Sequence, residues 1–178
     1  IFEISSVNEG IGYEYKVRPS HAYDTVINKQ DTLGFVDWQD GYSGSAYVSY
    51  RVENRCGLGS YSNEREVTVN PLPGKASKPM GSVEVCQGSN EINYTTSGAS
   101  EATGFDWKVI PDSAGSSSGN QEGVLVDFAN DYNGKAKITV RGVNDCGVGE
   151  FSDTLEVTVK PLPEKPILVS DNSNICKG

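Results

Sequence analysis

The stretch that decides the fold occurs twice, as RVENRCGLGSYSNEREVTVNPLP at residues 51–73 and as RGVNDCGVGEFSDTLEVTVKPLP at residues 141–163. Arg, Asn, Cys-Gly, Gly, Ser, Glu-Val-Thr-Val and Pro-Leu-Pro fall at the same places, and Cys56 and Cys146 are 90 residues apart. A repeat of this length holds a whole set of strands, so it is a domain and not one turn of a solenoid. The sequence therefore predicts a tandem array of similar domains.

This repeat divides the chain into one complete domain and parts of two others. Residues 1–73 read as a repeat without its first strand, residues 74–163 as a complete repeat, and residues 164–178 as the start of a third. The third copy is indicated by Cys176-Lys177-Gly178, which matches Cys86-Gln87-Gly88 at the same offset. Pro-Leu-Pro at each boundary fixes backbone angles and stiffens the joint, so we expect the repeats to form a rod.

Apolar residues alternate with polar ones through the complete repeat, which is the pattern of half-buried strands. Three such segments centre on Trp107, Val126 and Ile138, and Trp107 is predicted to lie in the core. The number of short strands and the spacing of turns predict an all-β fold of tandem immunoglobulin-like β-sandwiches. Residues 20–32 are polar and residues 112–123 are rich in glycine and serine, so both are predicted to be irregular loops.

The charge of the chain excludes two classes of partner. Asp and Glu number 24 against 15 Lys and Arg, which gives a net charge of −9. A surface of this sign has no patch that neutralises phosphates, so neither nucleic acid nor an anionic membrane is an expected partner. No apolar run approaches the roughly 20 residues that span a bilayer, and membrane insertion is not predicted.

No set of residues in the sequence reads as a catalytic centre or a cofactor site. His21 is the single histidine, and it lies in a polar segment beside Ser20 and Tyr23 without a counterpart in the second repeat. A histidine base needs an orienting group and a nucleophile, and the sequence offers neither in a repeated position. We interpret His21 as a solvated loop residue and predict that the chain is not an enzyme.

One corner of each repeat is rich in side-chain oxygen atoms. Hard oxygen ligands in a loop can hold Ca²⁺, and the candidates are Asp127, Asn130, Asp131 and Asn133. Their spacing matches no known calcium loop, and Asx-Gly clusters ordinarily form turns. We therefore predict a turn without a cofactor, with calcium kept as the alternative.

Three segments carry a resemblance to a known family: VCQGSNEINY at 85–94, GFDWKVIP at 104–111, and the stretch from Tyr132 to Pro163. The chain resembles the PKD-like, immunoglobulin-fold repeats of Bacteroidota cell-surface proteins, among them the giant adhesins of gliding bacteria. The resemblance implies secretion by the type IX route and display on the outer cell surface.

In an exported chain the four cysteines, Cys56, Cys86, Cys146 and Cys176, are disulfide candidates, because they do not form a Cys-x-x-Cys metal pattern. Bridged cysteines need Cα atoms within about 7 Å. A Cys86–Cys146 bridge inside one repeat requires the first strand to be very short or shifted. The alternative joins Cys86 to the turn cysteine of the next repeat.

The resemblance also implies O-linked glycans, which such exported proteins carry at Asp-Ser/Thr-apolar motifs. The candidates are Thr25, Thr32, Ser113 and Thr154. About one match is expected by chance, so four is a mild excess. We expect these hydroxyls to lie on the surface, where a modifying enzyme can reach them.

The sequence as a whole indicates a non-enzymatic structural or adhesive segment of a long surface adhesin. Its expected partners are neighbouring repeats of the same chain, and surface polysaccharide or other surface proteins. One alternative is a carbohydrate- or surface-binding module, which would need exposed aromatic rings such as Tyr13, Tyr23, Tyr42 and Tyr47. Another is an accessory region of a secreted hydrolase.

Overall fold

The structure is a computed structural model, and it describes residues 2–3, 12–28 and 33–168. The described chain is made of strands, and the helix among these residues is a single 3-10 turn, Asp112–Ala114. No helix in these ranges has the length and apolar character needed to cross a membrane. The chain divides into two compact units, Ile1–Pro73 with Asn144–Val148, and Gly74–Val143 with Gly149–Gly178.

Two sheets form the first unit. Its strands are β1 (Phe2–Glu3), β2 (Gly12–Arg18), β3 (Tyr23–Asn28), β4 (Leu33–Trp38), β5 (Gly44–Asn54), β6 (Gly57–Leu58) and β7 (Arg65–Val69). One sheet has the order β1-β4-β3, and in the other β5 pairs with β2, β6 and β7. All of these pairs are antiparallel.

Two further sheets follow along the chain and form the second sandwich. Their strands are β8 (Met80–Gly81), β9 (Glu84–Cys86), β10 (Ile92–Thr95), β11 (Gly104–Ile110), β12 (Gly115–Ser118), β13 (Gly123–Phe128), β14 (Gly134–Asn144), β15 (Gly147–Val148) and β16 (Leu155–Lys160). The sheet orders are β12-β13-β10-β8 and β11-β14-β16-β9, with β15 paired to β14. The pairing of β9 with β16 is parallel.

This connectivity is that of an immunoglobulin sandwich. The first sheet joins the first, second, fifth and fourth strands of such a domain, and the second joins the third, sixth and seventh. The first strand is split, because β8 pairs in one sheet and β9 crosses to the other. Strands β1 to β7 repeat the order of β10 to β16. The predicted all-β fold with immunoglobulin-like sandwiches is confirmed.

Most of the core of the second sandwich consists of residues that alternation predicted, while Ala76 and Ala114 lie outside the alternating segments. The buried side chains of its middle strands are Val124, Val126, Phe128, Ala136, Ile138 and Val140. Trp107 is buried with them, and its Nε1–H donates a hydrogen bond to the Gln121 carbonyl at 3.0 Å. The predicted core position of Trp107 is therefore correct.

The core of the first unit is smaller and rests on an aromatic ring. Tyr15, Val17 and Val48 are buried, and Trp38 packs against them. Gly34 lies under the Tyr15 ring, where a Cβ would come within 2.5 Å of Cζ. A residue larger than glycine would therefore displace the ring.

Two segments predicted to be irregular are in fact edge strands. Tyr23–Asn28 forms β3 and pairs with β4, and Gly115–Ser118 forms β12 and pairs with β13. Each strand lies at the end of its sheet, where half of the backbone hydrogen bonds face away from any partner. Strand β12 is made of glycine and serine. Strand β3 has a register shift between Tyr23 and Thr25, which leaves its core-packed residues Tyr23 and Val26 three positions apart. Neither segment therefore carries the apolar alternation on which the prediction depended.

Candidate functional site

The turn between β14 and β15 is closed by an asparagine side chain. Asn144 Oδ1 accepts hydrogen bonds from the N–H groups of Cys146, at 2.9 Å, and Gly147, at 3.2 Å. Gly147 has a φ of +147°, in the region that favours glycine. Asn54 accepts the N–H of Cys56 in the same way at 2.8 Å. The repeated Asn-x-Cys-Gly motif is thus a turn that leaves its cysteine side chain exposed.

This turn belongs to the first unit through contacts with the Pro-Leu-Pro segment. Asn144 Nδ2 donates a hydrogen bond to the Pro71 carbonyl at 3.0 Å. A Cβ at Gly147 would lie 3.0 Å from Leu72 Cδ2, so the backbone of the turn lies against that side chain. The Asn144 side chain therefore makes hydrogen bonds both within its own turn and to the backbone of the segment at residues 71–72.

A second cysteine lies at a corner formed by the end of β9. Cys86 is opposite Lys160 in the parallel ladder, and it is exposed. Gln87 N–H donates to the Lys160 carbonyl at 2.8 Å, and Leu162 N–H donates to Gln87 Oε1 at 3.3 Å. The Gln87 side-chain amide also donates to the Asn130 carbonyl. The corner is therefore fixed to the Pro161–Pro163 segment on one side and to the turn after β13 on the other.

The ladder register excludes a bridge between Cys86 and Cys146 of the same repeat. Val159 pairs with Val85 on one side and with Gly134 on the other, so Cys86 is level with the start of β14, on the far side of β16. Cys146 follows the end of β14, which is ten residues further and about 33 Å away at 3.3 Å per residue. The first strand is short, as that bridge required, but it ends at the wrong pole. The cysteines at 56, 86 and 146 are free thiols in the structure, and Cys176 lies outside the described residues.

The glycosylation candidates in the described ranges are exposed. Thr25 lies in β3, a strand rather than the predicted loop, and its side chain is open to solvent. Ser113 lies in the 3-10 turn, and Thr154 directly precedes β16. Both are exposed, and Thr32 lies outside the described residues. Their accessibility fits the prediction, which stays a prediction.

The oxygen-rich corner serves to fasten a turn. Asp127 Oδ1 accepts the Glu91 N–H at 2.7 Å, and the Asn130 carbonyl accepts the Gln87 side chain. Asp131 and Asn133 are exposed in the turn that follows. Within the described ranges no three His, Cys, Asp or Glu side chains converge on one point. Calcium stays an untested alternative at these residues.

The four tyrosines named as a possible sugar-binding surface do not share one exposed face. Tyr13 and Tyr23 pack against the core of the first unit. Tyr42 donates its hydroxyl hydrogen bond to the Ser45 carbonyl at 2.7 Å, and its ring meets the exposed His21 ring at a centroid distance of 5.8 Å. Tyr47 alone of the four is exposed, at 36%. His21 is thus a surface ring in contact with Tyr42.

An aromatic–arginine cluster on the outer sheet face was missed by the sequence analysis. The Arg51 guanidinium lies 4.7 Å from the Tyr61 ring centroid, and the Tyr61 hydroxyl donates to Glu14 Oε1 at 2.7 Å. The hydrogen bond from Tyr61, followed by that from Arg51, lowers the pKa of the Glu14 carboxyl. In the second sandwich Arg141 lies 4.5 Å over Phe151. The signal was available, because the arginine and the ring recur at the same offset.

Fold and contacts together define an immunoglobulin-like β-sandwich module. Residues 72–157 match the PKD-like domain, a stretch that runs from the Pro-Leu-Pro segment into β16. No curated protein matches the chain. No enzyme family is indicated by these comparisons.

Solved structures with a similar arrangement include bacterial modules of low sequence identity. The fibronectin(III)-like modules of Clostridium thermocellum CbhA have a TM-score of 0.45 at 14% identity, covering 93% of this chain and 87% of that one. The C-terminal 282-residue fragment of intimin, in complex with the intimin-binding domain of the translocated intimin receptor, has 0.45 at 11%, covering 89% and 56%. Domains 4 and 5 of the S-layer protein SbsC have 0.30 at 14%, covering 90% and 82%.

Proposed function

We propose that this chain is a non-enzymatic segment of a long, secreted surface adhesin, in which tandem sandwich repeats form a spacer that resists pulling. The repeat at 90 residues and the PKD-like match over residues 72–157 support a modular array. Type IX secretion and display on the outer surface are part of this proposal. Its partners are the neighbouring repeats, and surface polysaccharide or other surface proteins.

The observation that carries the mechanical role is the parallel pairing of β9 with β16, from Thr158↔Glu84 to Lys160↔Cys86. The chain enters the second sandwich through β8 and β9 and leaves it through β16. Because β9 and β16 run in the same direction, a pull on the two chain ends slides one strand along the other. All the hydrogen bonds between β9 and β16 then resist the force at once. When strands are instead separated from one end, their hydrogen bonds break one at a time.

Backbone bonds rather than charges hold this pair. The Thr158 N–H donates to the Val83 carbonyl at 2.8 Å, and the Gln87 N–H donates to the Lys160 carbonyl at 2.8 Å. Lys160 also pairs with Glu84 at 2.6 Å, but both side chains are exposed and such pairs contribute little. We therefore assign the resistance to the ladder.

Single-molecule pulling tests this assignment. Gln87→Pro removes the backbone donor to Lys160 and the side chain, whereas Gln87→Ala removes the side chain alone. We expect Gln87→Pro to unfold the second sandwich at a clearly lower force than Gln87→Ala. Equal forces for the two variants would contradict the assignment of the resistance to the ladder between β9 and β16.

Surface display has a separate test. An antibody raised against the chain should label intact cells of the source organism without permeabilisation. Labelling that appears only after lysis would remove the surface role while leaving the mechanical result untouched.

A further inference from the structure

We infer that consecutive repeats of this kind are joined by a disulfide between the first-strand cysteine of one repeat and the turn cysteine of the next. The inference rests on the proposed function in one respect, because such bonds persist in oxidising surroundings outside the cell. It combines two contacts that the structure shows at the two Pro-Leu-Pro segments.

The first contact places a first-strand cysteine beside a Pro-Leu-Pro segment. Cys86 is the ladder partner of Lys160, which directly precedes Pro161. The next residue, Gln87, bonds through its side chain to the Leu162 N–H at 3.3 Å. The Cys86 backbone therefore lies one strand spacing, about 4.8 Å, from the backbone of Lys160, the residue just before the segment.

The second contact places a turn cysteine beside the other Pro-Leu-Pro segment. Asn144, two residues before Cys146, donates to the Pro71 carbonyl at 3.0 Å. Gly147, the residue after Cys146, lies against Leu72. Pro71 and Leu72 are the counterparts of Pro161 and Leu162 at the 90-residue offset.

Together the two contacts bring two thiols to one segment. A repeat that follows residues 161–163 would place its own Asn-x-Cys-Gly turn on Pro161 and Leu162, next to Cys86. By the same relation, Cys146 would lie next to the first-strand cysteine of the repeat that precedes its own. This accounts for the exposure of both thiols and for their recurrence at one spacing.

The bridge inside a repeat is the competing arrangement, and distance excludes it. Cys86 and Cys146 of one sandwich lie at opposite ends of β14, about 33 Å apart by strand length. Bridged cysteines have Cα atoms within about 7 Å.

The chemistry is ordinary thiol–disulfide exchange with a low-molecular-weight disulfide such as oxidised glutathione. One cysteine thiolate attacks a glutathione sulfur, forms a mixed disulfide and releases one glutathione thiolate. The second cysteine thiolate then attacks the protein sulfur of that mixed disulfide and releases the second glutathione thiolate. Two cysteine thiols are oxidised, one glutathione disulfide is reduced, and the two thiol protons pass to the two glutathiones.

The test uses the whole chain with residues 74–163 duplicated in tandem after Pro163, so that two complete repeats meet at one joint. After equilibration with oxidised and reduced glutathione, non-reducing peptide mapping should show a Cys86 peptide linked to a Cys146 peptide within a monomer. The identical copies are distinguished by mutation. Cys146→Ser in the second copy should abolish the link, and Cys146→Ser in the first copy should leave it intact.

Absence of the link, or its survival when the second copy carries Cys146→Ser, would overturn the inference. Circular dichroism of each variant under reducing conditions verifies that the sandwiches are folded. A missing link together with surface labelling and the expected pulling result would overturn the bridge alone. A bridge found in a protein that labels only lysed cells would overturn the proposed surface role alone.

Discussion

At the residue scale, the fully buried Tyr94 shows how a sandwich accepts a large polar side chain. Its hydroxyl donates to the Ser82 carbonyl at 2.9 Å, and its ring meets Phe128 edge-on at a centroid distance of 6.5 Å. Gly81 lies over the ring, where a Cβ would come closer than 3.0 Å to it. The need for glycine at 81 arises from a contact between two strands and leaves no mark in the sequence.

Gly81→Ala should destabilise the second sandwich, because the added Cβ overlaps a ring that cannot move away. Overpacking of this kind costs about 1–3 kcal/mol in the free energy of unfolding. The matched control is Gly123→Ala in the same sheet, whose added Cβ would meet its nearest atom at 3.8 Å. Urea unfolding of both variants measures the difference, and an equal loss in both would show that glycine at 81 is not required by the ring.

Burial also makes stability depend on alkaline pH. It raises the pKa of Tyr94 to about 12 from an ordinary value of 10.0, so the folded state favours the neutral phenol. The contribution of this group is complete below pH 10 and is lost as the pH rises toward 12. We expect the free energy of unfolding of the second sandwich to fall across that window.

Tyr94→Phe should make that fall shallower. Tyr132→Phe, at a half-buried tyrosine of the same sandwich whose hydroxyl makes an exposed hydrogen bond, serves as the control. Urea unfolding followed by circular dichroism from pH 8 to pH 12 measures both slopes. If Tyr94→Phe leaves the slope unchanged, burial of this phenol does not govern the alkaline transition.

At the element scale, a buried serine side chain supplies a hydrogen-bond acceptor for β14 beyond the point where its ladder with β16 ends. The ladder stops at Ile138↔Leu155, and beyond it Ser152 Oγ accepts the Val140 N–H at 3.1 Å. Ser62 accepts the Tyr50 N–H at 3.2 Å at the equivalent place in the first unit. The serine of the repeated stretch therefore continues the strand's hydrogen bonding after the chain has left the sheet.

Ser152→Ala should cost about 1–3 kcal/mol, because it leaves the buried Val140 N–H without an acceptor. Thr154→Ala, two residues away and exposed, is the control and should stay within about 0.5 kcal/mol of the parent. Thermal and urea unfolding measure both. A loss of less than 0.5 kcal/mol at Ser152 would mean that water replaces the hydroxyl.

The elements predicted from the sequence were the strands in which core-facing and solvent-facing side chains alternate. Strands β11, β13 and β14 show this alternation, and their buried residues were predicted correctly. Strand β12 was missed because a polar edge strand is defined by its hydrogen-bonding partner rather than by its own residues. Strand β3 was missed because a register shift between Tyr23 and Thr25 breaks its alternation. The 33 Å that separates Cys86 from Cys146 likewise follows from a register that no local pattern contains.

At the scale of the whole molecule, the accessible hydroxyls allow a prediction about covalent modification. Thr25, Ser113 and Thr154 follow aspartates and are exposed. We expect O-linked sugar on several of these residues and on Thr32 in protein from its own source, because an enzyme can reach such positions. Intact-mass analysis should give a value above that of the polypeptide, and protein made in a host without the glycosylation machinery is the control. A mass equal to the bare chain would remove the hypothesis.

More of the architecture than of the function could be predicted from the sequence. The 90-residue repeat and the alternation of apolar residues are properties of the whole chain, and they are enough to predict the sandwich. The arginine and the ring of the cluster at Arg51 and Tyr61 recur at the 90-residue offset, but recurrence does not show that both meet Glu14, which is distant in sequence. Ligand and partner specificity depend on such surfaces, so periodicity alone does not reveal them.

The serine-rich edge strand β12 helps to prevent neighbouring domains of a tandem array from pairing through their strands. It ends its sheet with Ser116 and Ser118 exposed and carries no apolar side chain. A foreign strand that docked there would exchange water hydrogen bonds for backbone ones at little net gain and would bury hardly any hydrocarbon. The addition of strands to this edge, as in a cross-β polymer, is therefore not favoured in free energy. Tandem domains hold near-identical neighbours at very high local concentration. A polar edge strand of this kind allows each domain to fold without pairing with a strand of the next domain.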